Sequence, residues 1–285
     1  MIGLLQGITE LFPVSSLGHS VLVPSWLGWD TLVSGQAADE SFYLAFLVGL
    51  HLATGVALLI YYRRDWSALA KGTLRTIRNR DLSDPDGRLA SLLVIGTIPV
   101  GLVGLIFEHS LRTLFAKPLA AAVFLTLNGV ILLAVESLRR RAPSEGASRS
   151  VPAAASPGSG LADLTIRDSL AIGTCQILAL FAGISRSGIT MAAGLARGLD
   201  RERAARFSFM LATPVILAAG VYKLHDLLGP NGAGLRGQIL VGSLVAGLAA
   251  YAAVRFLERF FRANTLLPFA GYCLVFGGLS IICFA

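Results

Sequence analysis

The amino-acid sequence predicts an all-α integral membrane protein: six transmembrane helices plus two re-entrant helix–break–helix hairpins, arranged as an inverted repeat. Three observations predict it. Of the 285 residues, 54% are hydrophobic and only 14% charged, where soluble domains carry roughly 25% charged residues; the mean hydropathy is +0.69. Six segments, at about 41–62, 89–108, 118–138, 207–228, 237–257 and 265–285, have the length and apolarity of bilayer-spanning helices. Two further apolar segments, about 1–27 and 169–199, are interrupted near their middles by Pro, Gly, Ser and charge, and each reads as a short helix, a polar break and another short helix.

The positive charges set the topology. Loops 63–88, 139–168, 200–206 and 258–264 carry seven, five, three and two Lys or Arg residues, whereas loops 28–40, 109–117 and 229–236 carry none, two and one. Lys and Arg favour the cytoplasmic side, so the first set is expected inside and the second outside. This alternation requires both interrupted segments to re-enter, the first opening outward and the second inward. The net charge of +7 therefore does not indicate nucleic acid, since the basic residues lie between apolar spans rather than along one face. Met1 enters the first interrupted segment with no cleavable-signal pattern. Cys175, Cys273 and Cys283 sit in apolar stretches without Cys-x-x-Cys spacing and are expected to be small buried hydrophobes.

Arg139-Arg140-Arg141 is followed by a Pro/Ala/Ser/Gly-rich run to Gly160 that cannot build a core, so 139–168 is expected to be a flexible cytoplasmic linker. It divides the chain into a first repeat, 1–138, and a second, 169–285, each with one hairpin and three spans; an odd number of spans inverts the second. A shift of 170 residues supports the division. It places Ile2-Gly3 on Ile172-Gly173, Gln6 on Gln176, Ser15 on Ser185 and Gly18 on Gly188, within the two segments that the charge pattern had paired. Inverted repeats with broken helices commonly build a polar site near the midplane.

Both breaks carry chemistry. The first reads Gln6-Gly-Ile-Thr-Glu10-Leu-Phe-Pro13-Val-Ser15-Ser16-Leu-Gly18-His19. Gln6 and Glu10 share a helix face, Pro13 ends that helix, and Ser15, Ser16 and Gly18 form the break before His19. A carboxylate at membrane depth costs at least ~2.5 kcal/mol and calls for a partner; a Glu10–His19 pair across a packed turn is one. The second reads Gly183-Ile-Ser185-Arg186-Ser187-Gly188-Ile-Thr190, with Arg186 the only basic residue between Arg167 and Arg197. A helix N-terminus, closely approaching glycines and a guanidinium fork make a phosphate cradle. An Arg186–Glu10 ion pair holding the repeats together is compatible with this, because phosphate could replace the carboxylate. The joint inventory suits phosphoryl transfer: Arg for charge, Glu for a hard cation, Ser or His as nucleophile or base.

The stretch Gln6–His19 resembles the Glu-Gly-x-Thr-Glu-Phe-x-Pro-Val-Ser-Ser-x-Gly-His motif of the undecaprenyl-diphosphatases, the family once named for bacitracin resistance. Gly183–Thr190 resembles the family's second motif, Pro-Gly-x-Ser-Arg-Ser-Gly-x-Thr, and Leu50-His-Leu-Ala-Thr-Gly, Phe207–Pro214 and Leu267–Tyr272 add further matches. The resemblance implies hydrolysis of undecaprenyl diphosphate to the monophosphate in the bacterial inner membrane, recycling the lipid carrier of cell-wall synthesis. It implies a divalent cation, Mg2+ or Ca2+, at Glu10 with Gln6 beside it. It makes Ser16 and His19 the nucleophile and base candidates, and assigns the diphosphate to Arg186 with Ser15, Ser185, Ser187, Gly188 and Thr190. Three positions depart from the pattern: Gln6 replaces a common Glu, Ala182 a Pro and Cys273 an Arg. An amide oxygen can ligate a cation but brings no charge.

The other polar residues are read more simply. His51, mid-span, either lines the site or hydrogen-bonds a neighbouring helix. His109 and His225 fall near span ends, as do Glu108 and Glu136. Trp26, Trp29, Tyr61, Tyr62 and Trp66 suit an aromatic belt. Gly101 and Gly104 are expected at close helix contacts, and Gly-rich spans suit a homodimer. The topology places the active site toward the outer leaflet. A flippase or ion-coupled carrier of a phosphorylated polyprenyl lipid is the competing function, since the architecture alone also suits transport.

Overall fold

The computed structural model describes residues 1–29, 42–107, 117–141, 161, 164–223 and 236–285, and every regular element among them is helical. Residues 142–160, the body of the expected linker, lie outside the described residues, as do His109, His225 and Glu108. Two short helices, α1 (Ile2–Thr9) and α2 (Ser16–Trp26), flank the first break. There follow α3 (Phe42–Tyr61), α4 (Arg63–Asn79), α5 (Pro85–Ile106) and α6 (Pro118–Arg141). Farther along, α7 (Ile166–Cys175) passes into a 3-10 turn, Gln176–Leu180, and α8 (Arg186–Ala196) starts beyond the second break. The chain ends with α9 (Arg201–Tyr222), α10 (Arg236–Ala263) and α11 (Leu267–Phe284).

Five helices, α5, α6, α9, α10 and α11, are long and apolar enough to cross a membrane, and α3 joined to α4 through a 79° bend makes a sixth candidate. At 1.5 Å per residue, the 22 residues of α5 reach about 33 Å, the thickness of a hydrocarbon core. Large apolar side chains face outward along these helices, among them Ile98, Leu102, Leu244, Leu248, Val275 and Ile282. A water-soluble domain hides such a surface; lipid accepts it. The protein is a multi-pass membrane protein.

The structure differs from the sequence expectation at five places. Of the three cysteines expected to be buried, only Cys273 is; Cys283 is exposed and Cys175 half-buried. Residues 63–79, expected as loop, form α4. Its Leu69 and Gly72 are buried while Leu74 and Ile77 are exposed beside Arg63, Arg64, Lys71 and Arg75; the period-3.6 pattern was diluted below span hydropathy by these charges. Helix α9 begins at Arg201 rather than 207, because Asp200 caps it by accepting from Arg203 N at 2.8 Å. Tyr62 is buried rather than in an exposed belt, and its hydroxyl, like that of Tyr61, donates to Glu258. Gly101 has nothing within 4 Å of a Cβ position and Gly104 only Leu180 at 3.9 Å, so neither sits at a close contact.

The close contacts lie elsewhere. A Cβ on Gly3 would stand 2.5 Å from Gly242 O, and one on Gly173 would stand 2.1 Å from Gly96 O. These pairs bring α1 against α10 and α7 against α5, backbone to backbone. Helix α9 is the most enclosed candidate span; its Phe207, Phe209, Met210 and Leu211 fill the centre. One end of the bundle is tied by ion pairs: Arg201 with Glu136, Arg197 with Asp168, and Arg206 with Asp65 at 2.9 Å. Glu136, fully buried, also accepts from Leu266 N.

Candidate functional site

Each break is shaped by a serine that caps the helix after it. Ser15, at φ 69°, accepts from Gly18 N at 3.2 Å, and Ser185 accepts from Gly188 N at 3.1 Å. Such caps satisfy backbone donors that a membrane interior would otherwise leave unpaired. The breaks are also pinned to one another. Ser15 Oγ accepts from Gly183 N at 3.1 Å, and Ser187 Oγ donates to Phe12 O at 3.2 Å. Asn128, on α6, bridges them, its Nδ2 donating to Pro13 O and its Oδ1 accepting from Ser185 N, both at 3.0 Å.

Glu10 is the hub. One carboxylate oxygen pairs with the Arg186 guanidinium. The other accepts from Gln6 Nε2 at 2.9 Å and from the Ser16 hydroxyl, and lies 3.4 Å from His51 Nε2. A second nitrogen of Arg186 donates to Ala212 O at 3.2 Å. Glu10 is 7% exposed, so the charge is neutralised locally rather than by water.

A cavity of about 270 Å³ opens onto this cluster. Glu10, Ser15, Ser16, Ser185 and Arg186 all line it, together with His51 and Gln176. Its remaining wall is largely apolar, from α3 (Leu47, Val48), α5 (Val100) and the C-terminal half of α9 (Ile216, Ala219), with Lys223 near the end of that helix. The cavity thus joins a charged floor to an apolar slot, away from the ion-paired end of the bundle.

The other expected site residues sit behind this surface. Gln6 reaches it through Glu10. Thr190 Oγ1 shares a 2.6 Å hydrogen bond with Ser208 and donates to Arg186 O at 2.8 Å, buttressing the start of α8. Ser187 joins the breaks through Phe12 O, while Gly188 N donates to the Ser185 cap and its Cα packs toward Pro13. His19 is 1% exposed, with Nδ1 2.7 Å from Ser15 O and Nε2 2.7 Å from the Tyr272 hydroxyl. A carbonyl can only accept, so Nδ1 carries a proton, and in the neutral ring Nε2 accepts from the Tyr272 hydroxyl. The Glu10–His19 pair is not formed; Glu10 turns to Arg186 instead.

Reading the sequence undervalued His51, Asn128 and Tyr272. His51 is placed by its Nδ1 on Leu47 O at 2.8 Å, with Nε2 toward Glu10, and a polar residue mid-span was the available signal. Asn128, inside an apolar span, gave the same signal. Among the described residues no three His, Cys, Asp or Glu side chains converge. Glu10 is the one carboxylate lining the cavity, and its oxygens accept from Gln6 Nε2, the Ser16 hydroxyl and Arg186. One carboxylate with neighbouring hydroxyl oxygens would fit a hard divalent cation once the guanidinium moves onto phosphate and phosphate oxygens complete the shell.

The family model described as bacitracin resistance protein BacA matches residues 1–279. The chain belongs to the BacA family. It is 53% identical over 290 residues to the undecaprenyl-diphosphatase of Mycolicibacterium paratuberculosis, covering 99% of this chain and 95% of that protein. It is 50% identical over 331 residues to undecaprenyl-diphosphatase 2 of Frankia alni, covering 100% and 96%, and 43% identical over 286 residues to undecaprenyl-diphosphatase 2 of Chromobacterium violaceum, covering 99% and 96%. Both motif segments of this BacA-family chain fall within the matched region.

Proposed function

We propose that this BacA-family protein hydrolyses undecaprenyl diphosphate to undecaprenyl phosphate and inorganic phosphate, recycling the lipid carrier of cell-wall polymer synthesis. The observation that carries the proposal is the Ser16–Glu10–Arg186 cluster at the floor of a cavity with an apolar wall. The apolar slot takes the start of the prenyl chain, and Arg186 exchanges one oxyanion, Glu10, for another, the diphosphate. The names of the relatives point to the same substrate.

In the mechanism, Ser16 Oγ attacks the terminal phosphorus while Glu10, already hydrogen-bonded to it, takes the hydroxyl proton. The bond from that phosphorus to the bridging oxygen breaks. The lipid phosphate leaves with its new charge held by Arg186, and the proton passes from Glu10 to it. Water then attacks the phosphorus of the Ser16 phosphoester while Glu10 takes its proton; the phosphorus–Oγ bond breaks, Glu10 returns the proton to Ser16 Oγ, and inorganic phosphate departs. His51 and Gln6 hold the carboxylate in place, and His19 fixes the break through Ser15 O. A divalent cation, Mg2+ or Ca2+, held by Glu10 and the Gln6 amide oxygen together with the substrate, would supply neutralising charge to the diphosphate.

The architecture belongs to the same proposal: two inverted repeats, 1–138 and 169–285, each a re-entrant hairpin followed by three spans, joined by 139–168. Packing supports it. Under the 170-residue shift α1 corresponds to 172–179, the end of α7 and the 3-10 turn after it, and α1 packs on α10 as α7 packs on α5. Spans in the same order within each half also pack on each other, α3 on α9 and α6 on α11. Gly18 approaches Gly183, and Gly188 approaches Pro13, which the same shift exchanges. The ion-paired, Arg-rich end faces the cytoplasm by the positive-inside rule, which turns the cavity to the outer leaflet of the inner membrane.

Purified protein in detergent should release phosphate from a prenyl diphosphate, and acid quench during turnover should trap phosphate on Ser16. Release that persists in Ser16→Ala removes that serine as nucleophile. Liposomes carrying substrate in one leaflet separate hydrolysis from transport: translocation without phosphate release would establish the carrier function instead.

A further inference from the structure

Gln176 presents an unusual combination. Its residue is 0% exposed, it borders the same cavity as Glu10 and Arg186, and neither its amide nitrogen nor its amide oxygen has a hydrogen-bond partner. Buried side-chain amides are almost always satisfied, because an unpaired one forfeits its hydration for nothing. The repeat explains how this one is left free. Gln6, its counterpart 170 residues earlier, spends its nitrogen on Glu10, four residues on. The residue four beyond Gln176 is Leu180, which offers no acceptor. Moreover, the chain tightens to a 3-10 turn over Gln176–Leu180, just before the second break, and Gln176 lines the same cavity as Arg186 at the start of α8.

We infer that Gln176 is a substrate-binding residue whose Nε2 donates to a phosphate oxygen of the bound diphosphate. The inference rests on the hydrolase reading above. A diphosphate presents many acceptor oxygens and few donors, and Arg186 brings one fork; an uncharged amide adds a directional donor without adding charge to a floor already balanced by Glu10 and Arg186. The two glutamines then divide the work of the two repeats. Gln6 orients the carboxylate, and Gln176 orients the phosphate.

The test uses the full chain in detergent, with farnesyl diphosphate for turnover and inorganic pyrophosphate for binding, read as a rise in unfolding temperature. Gln176→Leu removes the amide at similar volume. Its unfolding temperature without ligand should equal or exceed that of the parent, since an unpaired buried polar group is lost. Its KM should rise roughly 10- to 100-fold, the worth of one hydrogen bond to a charged oxygen, and the pyrophosphate-induced shift should vanish. Gln176→Glu should bind pyrophosphate more weakly still, while Gln176→Asn should recover part of the KM loss. A Gln176→Leu protein with parental KM and parental pyrophosphate shift overturns the inference. So does a lower unfolding temperature combined with a retained shift, which marks a packing role. Should leucine prevent folding, Gln176→Met repeats the measurement. Arg186→Ala, run alongside, tests the hydrolase reading: absence of phosphate release by the parent defeats that reading, while the pyrophosphate shift still decides the role of Gln176.

Discussion

Glu10 and Arg186, 176 residues apart in the chain, meet as a buried ion pair across the two breaks. Removing one partner of such a pair strands the other, at about 3–5 kcal/mol, whereas replacing both with uncharged residues is often close to neutral. The pair therefore separates stability from chemistry. Arg186→Ala and Glu10→Ala should each lower the unfolding temperature in detergent and reduce kcat/KM by about 10³-fold or more, since in the proposed mechanism each removes a group that acts on the reacting phosphate. The double variant Glu10→Gln/Arg186→Met should regain most of the lost stability and none of the activity. Phosphate release and thermal unfolding, measured on the same preparations, check both halves. Activity in the stable double variant would exclude these residues from the reaction.

Gln6 offers a handle on the cation. Chelation with EDTA should abolish phosphate release, and Mg2+ or Ca2+ should restore it. A site with a single carboxylate holds a hard cation weakly, because ligand charge sets much of the affinity. Gln6→Glu adds a second carboxylate four residues from Glu10, and should lower the cation concentration giving half-maximal activity by roughly tenfold, about 1.4 kcal/mol of added binding. Activity that EDTA leaves intact would remove the cation from the scheme.

Much of this was legible in the sequence, for identifiable reasons. The spans were readable because lipid demands long runs without charge, a local property. The two breaks were readable because Pro13, the serines and the glycines punctuate otherwise apolar runs, and the shift that aligned Gly3 with Gly173 selected the two glycines that later prove to touch Gly242 and Gly96. What escaped depends on distant partners. His51 is one polar residue on a long helix until the fold sets it 3.4 Å from Glu10. Asn128 gains meaning only when both breaks reach it. Tyr272 lies 253 residues from the His19 ring that it meets. Helix α4 escaped for the opposite reason, as its own charges disguised a local pattern.

The glycine contacts make a graded prediction. At Gly173 an added Cβ would overlap Gly96 O, and at Gly3 it would overlap Gly242 O, so each pair of helices must separate. Gly173→Ala and Gly3→Ala should each destabilise by about 1–3 kcal/mol, the range for forced overpacking. Gly101→Ala, with nothing nearby, should be neutral or stabilising by up to about 1 kcal/mol through helix propensity. Thermal unfolding in one detergent ranks the three. Equal behaviour of Gly101 and Gly173 would contradict the backbone contact that joins α5 and α7.

Orientation can be tested from opposite ends of one molecule. Lys223 lies at the cavity, near the C-terminus of α9, while Arg75 is exposed on α4, which packs against α5 beside the Arg-rich end. The three native cysteines are unpaired and can be replaced to give a silent background. In intact cells, a membrane-impermeant maleimide should label Lys223→Cys directly, because an outward cavity meets the reagent first. Arg75→Cys should be labelled only after the membrane is permeabilised, since a Lys- and Arg-rich segment stays on the cytoplasmic side. The reverse pattern would place the cavity inside and require the lipid diphosphate to be presented from the cytoplasmic leaflet.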